Sequence, residues 1–289
     1  MYKDLFGKTR QKVGLHIHTT NSDGRATPEE SAEIYKAHGY DAIAFTDHNK
    51  YNHRKDFDGI TVIPGAEYNS QERNATNGVF HILGLFLESD PKADGRTDKP
   101  QEVIDKIHSA GGIAVLAHPA WSLNTLEMIN DLSGVDATEI YNAVSEAEHS
   151  FRPDSSLVVD LLASRGTCFP LLATDDTHYY NDIDNCKGFI MAECDTAEPS
   201  EIKKAITEKR FYASQGPEIH LVKDGDTLKV YTSPVEHIYI ASNASFARRA
   251  THGEGITYAE YRPDDFETFA RAFCIDKNGK SAWTNIIKL

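Results

Sequence analysis

The sequence predicts an α/β fold with a mainly parallel sheet, followed by a small antiparallel β domain. Short apolar runs recur along residues 13–192, and helical patterns lie between several of them, which is the alternation expected of an α/β fold. About seven such strand–helix units suit a barrel better than a short open sheet. After residue 213 the helical pattern fades, and tight-turn signals, Asp-Gly at 224–225 and Asn-Gly at 278–279, separate strand-like runs.

The first predicted strand carries two histidines. Residues 13–17 alternate between apolar and other side chains, which is the period of a β-strand. His16 and His18 are two residues apart and therefore point to the same face. The sequence NSDG at residues 21–24 predicts a turn, so the pair lies near the C-terminal end of the strand. A shared metal ion and two half-buried, hydrogen-bonded histidines both fit this pattern.

Capping residues and apolar faces mark the helices. Thr27 as N-cap, Pro28 at the first helical position and Glu30 three residues after the cap predict the start of the first helix, and Gly39 closes it. The other helical patterns are PQEVIDKIHSAGG from residue 100, NTLEMINDL from residue 124, DSSLVVDLLASRG from residue 154 and PSEIKKAITEKR from residue 199. The later strands are predicted at residues 41–47, 60–67, 79–86, 113–118, 135–141, 169–174 and 188–192.

Bulk composition narrows the class of function. The 289 residues, 40% of them hydrophobic, suffice for one large domain or for one plus a small partner. The net charge of −14 opposes binding to long nucleic acid but permits a small anionic substrate at a site with its own positive charge. We expect no membrane span, because no apolar run reaches roughly 18 residues. The first residues lack the apolar core of a signal peptide, and the four cysteines show no CxxC spacing, so we expect a cytoplasmic protein with reduced, non-catalytic thiols.

Histidines and acids collect where the predicted strands end. In α/β barrels the C-terminal ends of the strands build the site. A single histidine or acid at a strand end, for example His118 before a proline, fits a core position. A whole series of them at the same end of the barrel indicates a site. Imidazole and carboxylate ligands suit zinc, manganese or iron, and their number exceeds what one ion needs, so we expect two or three divalent ions. The residues are His16 and His18, Asp47 and His48, Glu67, His81, His118, and Asp175, Asp176 and His178.

Six motifs follow one another within residues 13–212: HIHTTNSDG, FTDHN, PGAEYN, HILGL, LAHP and DTH. In this order they resemble the motifs of the PHP superfamily, named for polymerase and histidinol phosphatase. The resemblance implies a distorted (β/α)7 barrel that holds a cluster of two or three metal ions. The motif RFYASQGPEI, the β segment and AW near the end resemble the branch with carbamate-cleaving metallohydrolases and small-nucleotide phosphatases. We therefore expect a phosphoesterase barrel at residues 1–212 and a small, sandwich-like β domain at residues 213–289.

The resemblance also implies which residues hold each ion. The implied ligands are His16, His18, Glu67 and Asp176 for the first ion, a bridging Glu67 with His81 and His118 for the second, and Asp23, His48 and His178 for the third. Some relatives have histidine at the position of Asp23. Asp47 and Asp175 are expected either to orient imidazoles from outside the ligand set or to serve as turn residues.

Such a cluster predicts hydrolysis of an anionic ester. Three divalent ions would bring six positive charges against the three carboxylates of the set, so the centre favours a phosphate oxyanion. We expect a hydroxide shared by the first two ions, which Glu67 bridges, to attack phosphorus in line. The predicted function is a metal-dependent phosphoesterase that acts on small phosphomonoesters or short nucleotides.

Four loop residues are assigned to the substrate. Lys50, Arg54 and Arg152 are candidate substrate-binding cations, and Arg152 is also a candidate catalytic residue that stabilises the developing charge. His53 is a candidate to protonate the leaving oxygen. A solvated surface position is the alternative for each of the four.

Two other functions fit parts of the pattern. An ester or carbamate hydrolase would use the same cluster, and the resemblance of the tail keeps this alternative open. A non-catalytic, metal-bound scaffold would use the β domain to dock a partner. The complete ligand set favours an enzyme over this scaffold.

Overall fold

The structure, a computed structural model, describes residues 2–70, 79–147, 150–244 and 249–289. Its helices are α1 (Pro28–Ala37), α2 (Pro100–Ser109), α3 (Leu126–Asn130), α4 (Val144–Ala147), α5 (Ser156–Ser164) and α6 (Pro199–Thr207). Its earlier strands are β1 (Tyr2–Lys3), β2 (Thr9–Ile17), β3 (Ala42–Phe45), β4 (Thr61–Ile63), β5 (Gly65–Ser70), β6 (Phe80–Leu85), β7 (Ile113–Leu116), β8 (Ala137–Asn142), β9 (Leu171–Thr174), β10 (Phe189–Glu193) and β11 (Phe211–Ser214). Its later strands are β12 (Ile219–Asp224), β13 (Thr227–Ser242), β14 (Ala250–Tyr261), β15 (Phe269–Ile275), β16 (Ser281–Thr284) and β17 (Ile287–Lys288). None of the helices in these ranges is long and apolar enough to cross a membrane.

The predicted helices and strands are confirmed, with one strand divided in two. The capping box of α1 is present, since Thr27 Oγ1 accepts from the backbone N–H of Glu30 at 3.2 Å and the Glu30 carboxylate accepts from that of Thr27 at 2.8 Å. The strand predicted at residues 60–67 is divided into β4 and β5 at Pro64. Proline has no N–H to donate, so it interrupts the pairing of a strand.

The expectation of a mainly parallel sheet is wrong. The strands β2, β3 and β4 pair in parallel, as do β7, β8 and β9. However, β6 runs antiparallel to both β5 and β7, and β10 runs antiparallel to β2 and β11. The link from β5 to β6 spans only residues 71–79, which is shorter than a parallel crossover needs. The reversed β6 places its second residue, His81, opposite Asn69 near the end of β5.

Isolated parallel bridges join the sheet of β2–β4 to the sheet of β5–β9. One bridge pairs His48 with Glu67, and the other pairs Ile17 with Thr177. The backbone N–H of His18 donates to the carbonyl oxygen of Thr177 at 3.0 Å. Pairing is local at these two seams, so the described residues do not form one closed, continuously hydrogen-bonded barrel.

The C-terminal strands extend the sheet that contains β2. Strands β12–β17 pair in an antiparallel manner, as predicted, and β16 also pairs with β11. One apolar cluster contains both Ile17 from β2 and Ile238 from β13. The buried guanidinium of Arg271 on β15 pairs with Asp160 of α5 at 2.6 Å. This part therefore packs on the rest of the chain through backbone, apolar and ionic contacts, and a domain boundary after residue 212 stays a prediction.

Candidate metal centre

The nine residues implied as metal ligands lie around one centre. Their donor atoms form three overlapping groups, and within each group the atoms lie within 4.8 Å of one another. The groups are His16, His18, Glu67 and Asp176; Glu67, His81 and His118; and His18, Asp23, His48 and His178. We call them the first, second and third group.

The first group is buried. His16 and His18 are 0% exposed, and the Nε2 atom of each lies 3.1 Å from Asp176 Oδ1. Glu67 Oε2 lies 3.2 Å from His18 Nε2. His16 and His18 are two residues apart at the end of β2, so both rings point to the same side, as the sequence predicted. Imidazole nitrogens and carboxylate oxygens of four side chains thus face one point.

Glu67 lies between the groups. Its Oε1 is 2.9 Å from His81 Nδ1 and 3.5 Å from His118 Nε2. Its Oε2 is 2.9 Å from His48 Nδ1. The reversal of β6 explains the position of His81, which the direction of a parallel strand would have carried away from this edge. Glu67, which is 1% exposed, contacts donors of more than one group, as a bridging ligand would.

The third group lies on the solvent side of the centre. The side chain of Asp23 is 52% exposed, and its Oδ1 is 3.5 Å from His18 Nδ1 and 3.6 Å from His178 Nε2. Its Oδ2 is 3.6 Å from His48 Nε2. Gly24 lets the turn fold back, because a Cβ there would lie 2.3 Å from the carbonyl oxygen of His18. The turn thus places Asp23 next to His18. His18 therefore belongs to both the first and the third group, whereas the sequence analysis had assigned His18 only to the first.

Unpaired buried atoms show that these side chains fit metal ions. Those of the centre that lack a hydrogen-bond partner among the described residues are His48 Nδ1, Glu67 Oε2, His81 Nε2 and Asp176 Oδ1. His48 Nδ1 and Glu67 Oε2 approach each other without hydrogen-bond geometry. Leaving buried polar atoms unpaired is costly, and a divalent cation that takes imidazole and carboxylate ligands would satisfy them.

The charged groups of the centre shift one another's pKa. Burial opposes ionisation of Glu67, but the surrounding imidazoles, His48 foremost, hold the pKa of its carboxyl well below the usual range. Burial lowers the pKa of His16, but the neighbouring carboxylates, Asp176 foremost, outweigh burial and raise it to about 10. Without a metal ion these carboxylates therefore favour a protonated His16, and binding of a divalent cation there should release that proton.

Glu139 is a residue of the centre that sequence reasoning missed. Its fully buried carboxylate places Oε1 2.7 Å from His16 Nδ1, and its Oε2 accepts from the backbone N–H of His118 at 2.8 Å. Asn142 Nδ2 donates to Glu139 Oε2 at 2.9 Å and to Asp176 Oδ2 at 3.2 Å. Glu139 thus turns the Nε2 atom of His16 toward the centre and connects the first group with the second. The available signal was an acid inside the strand run VDATEIY.

Replacing Glu139 with glutamine should weaken metal binding by about 10- to 100-fold, because the amide no longer holds His16 in the required tautomer. Competition with a chelator measures the affinity. Glu146→Gln is the matched control, since Glu146 accepts from the Tyr141 hydroxyl rather than from a residue of the centre. Equal affinities of Glu139→Gln and the unaltered protein would show that Glu139 does not orient His16.

Asp47 and Asp175 act through loop backbones. Asp47 Oδ1 accepts from the backbone N–H of Thr19 and from Ser22 Oγ, both at 2.8 Å. Asp175 accepts from the backbone N–H groups of residues 186–188, and burial raises its pKa to about 6. Asp47 therefore fastens the turn that presents Asp23, and Asp175 fastens the loop that follows β9.

Two of the four predicted substrate residues, Arg54 and Arg152, differ from each other in their surroundings. The guanidinium of Arg54 pairs with Asp56 at 2.8 Å and with Glu198 at 2.9 Å, so two carboxylates already compensate its charge. Arg152 is exposed in the segment after β8, and its backbone N–H donates to the carbonyl oxygen of Ser145 at 3.0 Å. A role in substrate binding stays a prediction for both.

The other two predicted substrate residues follow His48 along the chain. Lys50 Nζ lies 3.5 Å from the carbonyl oxygen of Asn21. The ring of His53 packs edge-on against Tyr51, with centroids 4.4 Å apart. Lys50 and His53 line the same cavity, so the fold brings these two candidates together.

A further set of possible donors lies outside the centre. Asp4, Glu218 and His220 have ligand atoms within 4.8 Å of one another. Asp4 pairs with Arg10 at 2.7 Å, and Glu218 Oε1 accepts from His220 Nε2 at 2.6 Å and from the backbone N–H of Leu5 at 2.7 Å. These contacts satisfy the carboxylates without an ion, so we interpret the set as a tie between the N-terminal residues and the C-terminal strands.

Mutating His220, His237 and His252 together to glutamine should leave the metal content unchanged. His220 belongs to the internally satisfied set, and His237 Nδ1 lies 2.8 Å from His252 Nδ1 across β13 and β14. Elemental analysis of the purified triple variant measures the ions per chain, and His16→Ala, which removes a ligand of the centre, serves as the positive control. A lost ion in the triple variant would place a metal in the C-terminal strands.

The chain is similar to known proteins in sequence and in fold. Over 153 residues it is 31% identical to an uncharacterised protein of Methanocaldococcus jannaschii, and the match covers 46% of this chain and 82% of that protein. In fold it is similar to a two-domain protein from Bacteroides vulgatus that contains a predicted PHP-like metal-dependent phosphoesterase, with a TM-score of 0.57, 16% identity and coverage of 100% of this chain and 98% of that chain. The lesion-specific endonuclease Q of Pyrococcus furiosus matches with a TM-score of 0.48 and 16% identity over 69% of this chain and 56% of its own. The model of the PHP domain family matches residues 14–159, which hold the motifs from HIHTTNSDG to LAHP. The chain therefore belongs to the PHP domain family.

Proposed function

We propose that the protein is a metal-dependent phosphoesterase that hydrolyses small phosphomonoesters or short nucleotides with two or three divalent ions of manganese, zinc or iron. The position of Glu67 carries the proposal. One buried carboxylate faces imidazoles of more than one group, and its Oε2 has no hydrogen-bond partner among the described residues. We also infer that the two sheets surround this centre as a distorted (β/α)7 barrel that the isolated bridges complete.

Charge supports an anionic substrate. The ligand set contributes three carboxylates, those of Asp23, Glu67 and Asp176, while its imidazoles are neutral when they bind metal. Three divalent ions would leave the centre with a positive charge inside a protein of net charge −14, even when the neighbouring carboxylate of Glu139 is counted. Such a centre favours a phosphate oxyanion over a neutral ester.

Some side chains would position the metal ligands, and others would act on the substrate. When bound, the ions supply Lewis acidity and an activated water. Glu67 sets the spacing of the first and second groups, Glu139 holds the ring of His16, and Asp23 completes the solvent-facing side. His53 would donate a proton to the leaving oxygen, and Arg152 would stabilise charge on the phosphoryl oxygens.

Turnover by the stripped and reloaded protein tests the function. We expect phosphate release from aryl phosphates and mononucleotides after reloading with manganese, zinc or iron, and none after removal of the ions. Faster cleavage of aryl carbamates than of aryl phosphates would overturn the phosphoesterase proposal in favour of a carbamate hydrolase. Full metal content with no turnover of either class would overturn it in favour of a metal-bound scaffold.

A further inference from the structure

A cavity of about 400 Å³ lies beside the turn of residues 19–24. Its volume is within the range of pockets that hold small molecules. Its walls come from that turn, from the start of α1 and from the segment after His48. The lining residues that matter here are Asn21, Lys50, Tyr51, Asn52, His53 and Phe57.

Two walls of the cavity are close in sequence to the third group. Asn21 is two residues from Asp23, and Lys50 is two residues from His48, so each of these lining residues lies within about 7 Å of chain from a proposed ligand. The two walls are connected, because Asn21 Nδ2 donates to Asn52 Oδ1 at 3.1 Å. A phosphoester bound at the centre could therefore place its alcohol part in this cavity.

Of the two lysines that line the cavity, Lys50 has no carboxylate partner among the described residues. The other lysine, Lys55, is paired with Glu29 at 2.7 Å. Among the described residues, Lys50 Nζ has no carboxylate within ion-pair distance, and its hydrogen bond goes to the carbonyl oxygen of Asn21. Lys50 is exposed, so its ammonium is accessible to an anionic group of a molecule in the cavity, and the chain as a whole is acidic.

Aromatic rings form another part of the wall, beside Pro28, Glu29, Asn52 and Lys55. Tyr51 and His53 pack edge-on, and Phe57 packs edge-on against buried Phe45 with centroids 6.5 Å apart. The combination of ring walls with a few polar groups is typical of sites for planar organic molecules. A purely aliphatic alcohol would make fewer favourable contacts with these aromatic rings than a planar ring would.

We propose that this cavity binds the alcohol part of the substrate and selects an aromatic ring that carries a second anionic group, which pairs with Lys50. This inference rests on the proposed phosphoesterase function, since the centre would hold the phosphate. The cavity then determines specificity, while the metal centre determines the reaction.

Two test esters that differ by one carboxylate examine the proposal. We expect the metal-loaded protein to hydrolyse 4-carboxyphenyl phosphate with a higher kcat/KM than phenyl phosphate. Lys50→Gln should reduce the ratio of the two kcat/KM values by about two- to fivefold, mainly through KM, because it removes one exposed ion pair with the substrate. The control is Lys204→Gln on α6, whose lysine is 67% exposed and far in sequence from the cavity. An identical ratio for the unaltered protein and Lys50→Gln would overturn the proposal.

A binding measurement on the metal-free protein separates the cavity from the reaction. We expect 4-hydroxybenzoate to bind more tightly than phenol, as seen by ligand-observed NMR, and Lys50→Gln to remove the difference. Binding of this kind without turnover of either ester would support the cavity and overturn the phosphoesterase function. Turnover without preferential binding of 4-hydroxybenzoate would support the function and overturn the cavity.

Discussion

Glu67→Ala should abolish phosphoester hydrolysis while the fold persists. The family resemblance assigns Glu67 to two ions, and its two oxygens face His81 and His118 on one side and His48 on the other. Its loss would leave imidazoles without the carboxylate that sets their spacing, so both the first and the second group should lose affinity for metal. Phosphate release and ions per chain, measured together on the reloaded variant, report both effects.

Glu67→Gln separates charge from shape. Glutamine keeps the volume and one oxygen but removes the negative charge, so it should lose metal and activity nearly as completely as alanine. Circular dichroism and thermal unfolding serve as the control for folding. Turnover at the level of the unaltered protein in metal-loaded Glu67→Ala would remove Glu67 from the centre.

Asp23→Ala should bind about one ion fewer and lose roughly 10²-fold or more in rate, by analogy with removal of one group that stabilises an oxyanion. Asp23 contacts His18, His48 and His178 from the solvent side, and the buried donors of the first group remain in place without it. The phosphate would therefore lose one positive neighbour, while the rest of the centre persists. Elemental analysis and the initial rate test the two parts of this expectation.

His16→Ala is the comparison that gives the Asp23 result its meaning. His16 is fully buried in the first group, so its removal should eliminate essentially all activity rather than leave a trace. The alternative role of Asp23 is to cap the turn, where Ser22 Oγ donates to its Oδ1 at 3.0 Å. An unchanged metal count in Asp23→Ala would support that alternative and refute a third ion at Asp23.

Local chemistry explains why the positions of most strands and helices could be predicted from the sequence, whereas the grouping of the proposed ligands came from the family resemblance. Period-2 alternation located the strand of His16 and His18, and the capping box located α1, because both signals depend on neighbours along the chain. The direction of β6 was not predictable in this way. It depends on the short link after β5, and the sequence pattern of a buried strand is the same in either direction.

Glu139 illustrates what single-sequence reasoning lacks. Its partners, His16 and His118, are distant in the sequence, and only the packing of β8 against β7 and the proximity of β2 bring them together. The contact of His18 with Asp23 was missed for a related reason. The turn at Gly24 reverses more sharply than the spacing of Asp23 suggests, since only a residue without Cβ allows so close an approach to the backbone of His18.

Strand β2 is synthesised long before its partner β10, so the two strands can pair only late in synthesis on the ribosome. HIHTTNSDG emerges early, whereas Asp176, His178 and the strand that covers β2 emerge much later. Contacts between such distant parts of a chain form slowly. A nascent chain therefore exposes the histidine pair before Asp176, the last residue of the first group, is synthesised, and the full set of donors in the three groups exists only after His178 is translated.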